Sequence, residues 1–350
     1  MITENKTCLL HIGAPKTGTT ALQTFFSENR AALLRHGLLY PEACLRANGH
    51  HDLAFLLGDG YPDWAIPQEK EIGQLLDDLG EEVSNHSGAI LLSSENFYLL
   101  TDPTKLAKAL ESCRILPHYQ VVIVVYLRPQ HEAHESWYNQ TIKAQGFSHS
   151  LGEYLNASRS LWDYDLMLDK WAAAFGTDNI IVRPYERPTG LAADVRTDFL
   201  ELLELSSTDF TLSADRDNMS INRDILEFQR MLNRLPLPVP EKRQFHKALM
   251  RLSAANQDKQ LFDNGPLLSL SQRQHIMENY EQGNRRVALR YLRRKRLFRE
   301  DLPKEDRGYF SYAGLTMEKM ACIFSWIMSS CPNCGKGLDR QNPMNQKPEK

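Results

Sequence analysis

The sequence predicts an α/β fold: a central parallel sheet flanked by helices, followed by a mostly helical C-terminal half. Three observations lead there. Residues 8–26 (CLLHIGAPKTGTTALQTFF) read as a buried strand, a tight loop and a helix. Residues 121–127 (VVIVVYL) form a continuous β-branched run, the mark of a strand covered on both faces. Strand and helix patterns alternate from the first of these to residue 184, as the crossovers of a parallel sheet require.

Each element has its own pattern. The first strand is the apolar run Cys8, Leu9, Leu10 and Ile12, stopped by Gly13. A helix begins at Thr20, with apolar spacing through Leu22, Phe25, Phe26, Leu33 and Leu34. Residues 37–41 (GLLYP) read as a short strand ended by proline, and residues 42–67 as a Gly-, His- and Asp-rich loop with a short helix over 52–57. Helical spacing returns over 69–83, a buried strand over 89–92 (AILL), and a helix over 104–115. After the central strand a helix is expected over 130–143, two helices over 151–175, and a further strand over 179–184 (NIIVRP). Beyond residue 190 the pattern is helical, broken at 235–240 and at 265–266. One domain over residues 1–330 is expected, with an α/β core over about 7–190 and a helical part over about 191–330. The polar residues 331–350 are expected to be a disordered tail.

Composition narrows the class. Of 350 residues, 42% are hydrophobic and 24% charged, as in a globular chain, and the net charge of −3 makes a nucleic-acid partner unexpected; a basic site must be local. Six cysteines form no dense framework, and Cys8 and Cys113, in or near apolar runs, are expected as buried thiols. The opening MITENKTCLLHIG has no basic segment followed by a long apolar one, and no run of about 18 apolar residues occurs. The expectation is a cytoplasmic protein without a membrane span. No metal is expected, because Cys331 and Cys334 make one C-x-x-C pair with no second pair to complete a zinc site.

The loop carries the chemistry. Gly13 and Gly18 keep the spacing of a nucleotide-binding loop, and Thr20 fills its hydroxyl position, so this is a P-loop-type sheet. Thr19 stands where the lysine of such loops follows the second glycine; the lysine here is Lys16, in mid-loop. That arrangement does not suit a grip on β- and γ-phosphates with hydroxyl-bound magnesium. It suits a nucleotide whose reacting group hangs on a single 5′-phosphate. A second anion site is offered by Arg128 at the end of the central strand, with Ser136 eight residues on. Gly13, Glu95 and Arg128 each follow the carboxyl end of an expected strand, where ligands of parallel sheets bind.

GAPKTGTTALQTFF resembles the 5′-phosphosulfate loop of sulfotransferases that use 3′-phosphoadenosine-5′-phosphosulfate (PAPS), and YLRPQHEAHES resembles their 3′-phosphate segment. GLLYP, LLSSENF, ESWYNQ, IIVRPYER, DNMSINRDILEFQRMLN and NRRVALRYLRRKRLF extend the resemblance over about residues 8–300, to the bacterial branch that acts on carbohydrates and is related to heparan-type enzymes. The resemblance implies sulfuryl transfer from PAPS to a hydroxyl or amine, leaving 3′,5′-ADP. It implies that Gly13, Pro15, Lys16, Thr17, Gly18, Thr19 and Thr20 surround the 5′-phosphosulfate, and that Arg128 and Ser136 hold the 3′-phosphate. Pro129, Gln130 and Glu132 depart from the common form of the second segment, whose Arg–Ser spacing is intact.

In-line transfer needs a group on the leaving oxygen, for which Lys16 is the natural choice, and a base beside the acceptor. Glu95 is the first candidate for the base, its alternative being a helix-start carboxylate; His51 is the second, its alternative a surface histidine. The resemblance implies that the stretch with Asn218 and Ser220 packs near the nucleotide or acceptor, the alternative being a helix N-cap at Ser220 or Asn222. Residues 285–299, dense in arginine, read either as a segment for an anionic acceptor or the 3′-phosphate side, or as a solvated amphipathic helix with Val287, Leu289, Tyr291 and Leu292 on its apolar side. Residues 320–328 (MACIFSWIM) are expected as a helix docked on the domain or on a second copy. The expected partner is a carbohydrate or glycolipid acceptor. A P-loop kinase or NTPase, and a non-catalytic nucleotide-binding protein of the same fold, are the competing readings.

Overall fold

The computed structural model describes residues 6–62, 65–115, 117–186, 194–213, 221–256, 261–299, 302 and 312–330. Its sheet has five strands: β1 (Thr7–His11), β2 (Leu38–Leu39), β3 (Ala89–Ser93), β4 (Gln120–Leu127) and β5 (Ile180–Pro184). All pairings are parallel, in the order β2-β3-β1-β4-β5. The fold is therefore α/β, as the alternation predicts. The central strand is β1, with Leu9 opposite Leu91 on one side and Val122 on the other, and not the run 121–127, which is its neighbour β4. Burial on both faces makes both strands apolar, so composition does not tell them apart. Every residue of β1 and β3 is buried, the burial of a sheet covered on both faces.

Helices in the first half are α1 (Thr19–Glu28), α2 (Arg30–Arg35), α3 (His51–Leu57), α4 (Ile72–Ser84) and α5 (Thr104–Ser112). Then come α6 (Gln130–Gln145), α7 (Leu151–Ala157), α8 (Tyr164–Phe175) and α9 (Val195–Leu202), followed by α10 (Arg223–Leu232), α11 (Val239–Ala255), α12 (Leu270–Leu292) and α13 (Met317–Ser330). The core above β1 and β4 is aromatic: Phe26 packs on Tyr40 and on Phe199 of α9, at ring-centroid distances of 5.4 and 4.9 Å.

Three expectations change in detail. The helix expected to run from Thr20 past Leu34 is broken at Asn29, which is buried and whose amide bonds Phe25 O at 2.9 Å and both backbone groups of Thr211, at 3.0 and 2.8 Å. A side chain that satisfies backbone groups in this way competes with helix continuation. The strand expected over 37–41 is two residues long. Leu289 is 52% exposed, so it does not share the buried face of α12, which Val287 and Ala288 occupy; α12 ends at Leu292, before the basic run 293–299. Cys8 and Cys113 are buried free thiols, and burial raises both, Cys113 to about 11.

The chain divides into two compact units: Met1–Trp137, Leu155–Arg216 and Ser271–Leu302 make the first, and Tyr138–Tyr154, Asp217–Leu270 and Pro303–Lys350 the second. The first contains the whole sheet. In the second, the carboxylate of Asp224 is fully buried and accepts from Tyr312, Lys319 and the Asp263 amide at 2.8, 2.5 and 2.7 Å, which ties α10 to α13. Ile323 and Ile327 of α13 are buried, while Phe324 is 60% exposed, and Trp326 donates to Ala248 O on α11 at 3.1 Å. No described helix is long and apolar enough to cross a membrane. Asn218, Ser220, Cys331, Cys334 and the expected tail over 331–350 lie outside the described residues.

Candidate active site

The sheet order sets the place. From β1 the chain passes to β2 on one side, and from β4 to β5 on the other, so the adjacent strands β1 and β4 flank a point where connections diverge. Parallel sheets open a crevice at the carboxyl ends of such strands. The loop after β1, Arg128 after β4 and Glu95 after β3 all emerge on that edge.

Gly13 starts the loop against a wall. A Cβ there would overlap Thr19 Cγ2 and come within 2.9 Å of His11 Nε2. Pro15 is buried, and Thr17 is buried with its hydroxyl bonded to Ala14 O at 2.6 Å, a closure of the loop on itself. Two residues take left-handed backbone: Lys16 at φ 69° and Gly18, the residue before α1, at φ 80°. Glycine adopts that conformation freely, whereas a lysine there is held by its surroundings. No side chain caps α1, and its first turn has no carboxylate, so its amides and dipole are left for an anion. Thr19 is buried at the head of the helix, and Thr20 is exposed beside it. Lys16 has access to solvent, yet enough protein surrounds it to lower its pKa: desolvation comes first, then the positive charge of Arg128, against which Glu95 acts to raise it.

Arg128 holds the loop from the other side. Its NH1 donates to the carbonyl of Lys16 at 3.1 Å, its Nε donates to Glu132 Oε2 at 2.7 Å, and its guanidinium lies 5.9 Å from the centre of the Tyr185 ring. The backbone carbonyl of Arg128 accepts from Tyr164 at 2.6 Å. Ser136 is half-buried in the second turn of α6. The structure thus brings Lys16 and Arg128 together and leaves Ser136 further along the helix.

Glu95 and His51 also meet. Glu95 Oε2 is 3.8 Å from His51 Nδ1 and accepts from Gln23 Nε2 at 2.8 Å. His51 Nδ1 lies 2.8 Å from Ser94 Oγ and 3.0 Å from Asn96 Nδ2. With those donors on Nδ1, the neutral ring carries its proton on Nε2. Its lone pair is then engaged internally, which leaves Glu95 the freer proton acceptor of the two.

Beneath these groups lie two neutral histidines. His50 Nδ1 accepts the Ser93 amide at 3.1 Å, so its proton is on Nε2 and is donated to Pro41 O at 3.2 Å. His11 Nδ1 is 2.8 Å from Ser93 Oγ, and its ring is enclosed edge-on by Phe26, Tyr126 and Phe199. Burial lowers the pKa of each to about 3. Gln23, His11, Ser94 and Asn96 were not singled out from the sequence. Gln23 alone carried a usable signal: a polar residue on the otherwise apolar face of a helix, beside Leu22, Phe25 and Phe26.

No family model matches the chain, and no curated protein matches it. Among solved structures it is similar to a sulfotransferase from Alicyclobacillus acidocaldarius, with 15% sequence identity and a TM-score of 0.38, over 72% of this chain and 94% of that one. A likeness at that level carries no argument about the site, which stands on the geometry of this chain.

Proposed function

We propose that this chain is a PAPS-dependent sulfotransferase acting on a carbohydrate hydroxyl or amine and leaving 3′,5′-ADP. The observation that carries the reading is the contact of Arg128 with the carbonyl of Lys16. It sets a phosphate-binding fork beside an uncapped phosphate loop whose lysine is displaced from the position that serves β- and γ-phosphates. The amides of α1 are open to an anion, and Gly13 lets the loop pass against Thr19 and His11.

When bound, PAPS supplies a sulfuryl group on a good leaving oxygen. The chain's part is to hold and neutralise. Loop amides and the α1 dipole bind the 5′-phosphosulfate, with Gly13, Pro15, Lys16, Thr17, Gly18, Thr19 and Thr20 around it. Arg128 and Ser136 bind the 3′-phosphate. Glu95 takes the proton of the acceptor as its oxygen or nitrogen bonds to sulfur, and Lys16 stabilises the bridging oxygen as the sulfur–oxygen bond to 3′,5′-ADP breaks. His51 orients the Glu95 segment and is the second candidate for the base. The reading takes residues 1–330 as one functional domain, the protein as cytoplasmic, and a homodimer as compatible with the exposed face of α13.

Thermal shift tests the donor. Stabilisation by 3′,5′-ADP without magnesium, and none by ATP, is expected; stabilisation by ATP with magnesium instead would make the chain a kinase or NTPase. Release of 3′,5′-ADP from PAPS across a glycan panel tests the acceptor, and binding without release would leave a non-catalytic nucleotide binder.

A further inference from the structure

The helix that carries the phosphate loop also reaches Glu95. Gln23 lies one turn beyond Thr19 and Thr20 on α1 and is buried. A buried amide is costly unless its polar atoms are bonded, and Nε2 of Gln23 is bonded to Glu95 Oε2 at 2.8 Å. The turn around Gly49 packs on Gln23. A Cβ at Gly49 would come within 2.9 Å of Gln23 Cδ and 2.7 Å of His51 Nε2, so the glycine backbone lies against both side chains. Asn48 ties the same turn to α1 through Thr24 Oγ1 at 3.1 Å, and Tyr40 donates to Asn48 O at 2.6 Å. The amide of Gln23 is therefore held on one side by a rigid turn while it donates to the carboxylate on the other.

We propose that Gln23 is a positioning residue that fixes Glu95 relative to the phosphate loop. The donor is bound at the head of α1 and the carboxylate is held from one turn along the same helix, so the attacking and leaving ends of the reaction are referenced to one rigid element. Gln23 engages Oε2 of Glu95, which leaves Oε1 for the proton of the acceptor. The inference rests on the reading of Glu95 as the base.

A double-mutant cycle between Gln23→Leu and Glu95→Ala tests it, with kcat, KM for PAPS and Tm measured on the full chain. Gln23→Leu is expected to lower kcat by about 10- to 100-fold, the order produced by a misplacement of about 1 Å, with KM for PAPS changed less than about twofold. In the Glu95→Ala background it is expected to lower kcat no further. An equal loss in both backgrounds would reduce Gln23 to a structural residue and overturn the proposal. A protein that releases no 3′,5′-ADP with any acceptor would defeat the sulfotransferase reading; the Gln23–Glu95 link is then judged on Tm, where non-additive shifts support it and additive shifts overturn it. Should Gln23→Leu fail to fold, Gln23→Asn, which keeps the amide but shortens its reach, is measured in the same cycle with the same outcomes.

Discussion

Lys16, Arg128 and Glu95 are three charged groups at one strand edge, and each answers to a different substitution. Lys16→Ala and Arg128→Ala are each expected to abolish PAPS turnover, measured as 3′,5′-ADP release. Glu95→Gln is expected to retain 3′,5′-ADP binding by calorimetry while turnover falls by about 10²- to 10⁴-fold, the range for loss of a general base; turnover like that of the parent would remove Glu95 from that role. Gly13→Ala probes the floor of the loop. Its Cβ would overlap Thr19 Cγ2 and crowd His11 Nε2 at 2.9 Å, and both neighbours are buried and unable to retreat. A loss of about 1–3 kcal/mol in urea denaturation is expected, typical of overpacking. The types and spacing of Gly13, Lys16, Gly18 and Thr20 were legible because a strand–loop–helix turn is a local device written in consecutive residues. Ser94 and Asn96 were hidden because each acts through a partner far along the chain, and Gln23, visible as a polar residue on an apolar face, gave no sign of its partner 72 residues away at Glu95.

Elements followed their periodicity where burial was strong and lost it where a single side chain intervened. β1, β3 and β4 lie within one or two residues of the apolar runs that predicted them, since a strand covered on both faces is apolar except near its ends, where Thr7, His11 and Ser93 stand. The break between α1 and α2 was not legible. Nothing in the spacing of Leu33 and Leu34 shows that Asn29 bonds both backbone groups of Thr211. Asn29→Ala would remove this partner from the part-buried backbone groups of Thr211, and a loss of about 1 kcal/mol by chemical denaturation is expected. An unchanged midpoint would show that α1 and α2 are separated by packing alone. The same contrast holds at α12, where the alternation of apolar residues suggested Leu289 on the inner face and the helix places Ala288 there instead.

At the scale of the molecule, buried neutral histidines are expected to weaken the fold as pH falls. Burial lowers His11 and His50 to about 3 and His134 to about 4. Above pH 6.5 folded and unfolded chains are alike at these positions. Below it the unfolded chain takes up protons that the folded one refuses, so stability falls with pH until the folded pKa values are reached. The three groups act in the same direction, so stability is expected to fall steadily between pH 7 and 5. Urea midpoints at pH 7, 6 and 5 check this, and a flat profile would mean that these rings are protonated in the folded chain.

The sequence by itself determined the class of the fold, the strands β1, β3 and β4 and the spacing of a loop with a displaced lysine, because each depends on residues near one another in the chain; that β1 rather than β4 is the central strand was decided by the sheet order. Tertiary structure alone decided that Arg128 grips the carbonyl of Lys16, that Gln23 holds Glu95, and that His51 turns its lone pair toward Ser94 and Asn96. Those contacts arise where adjacent strands far apart in sequence end on one edge, and strand order in a parallel sheet is fixed by the packing of its crossovers, which no local pattern encodes.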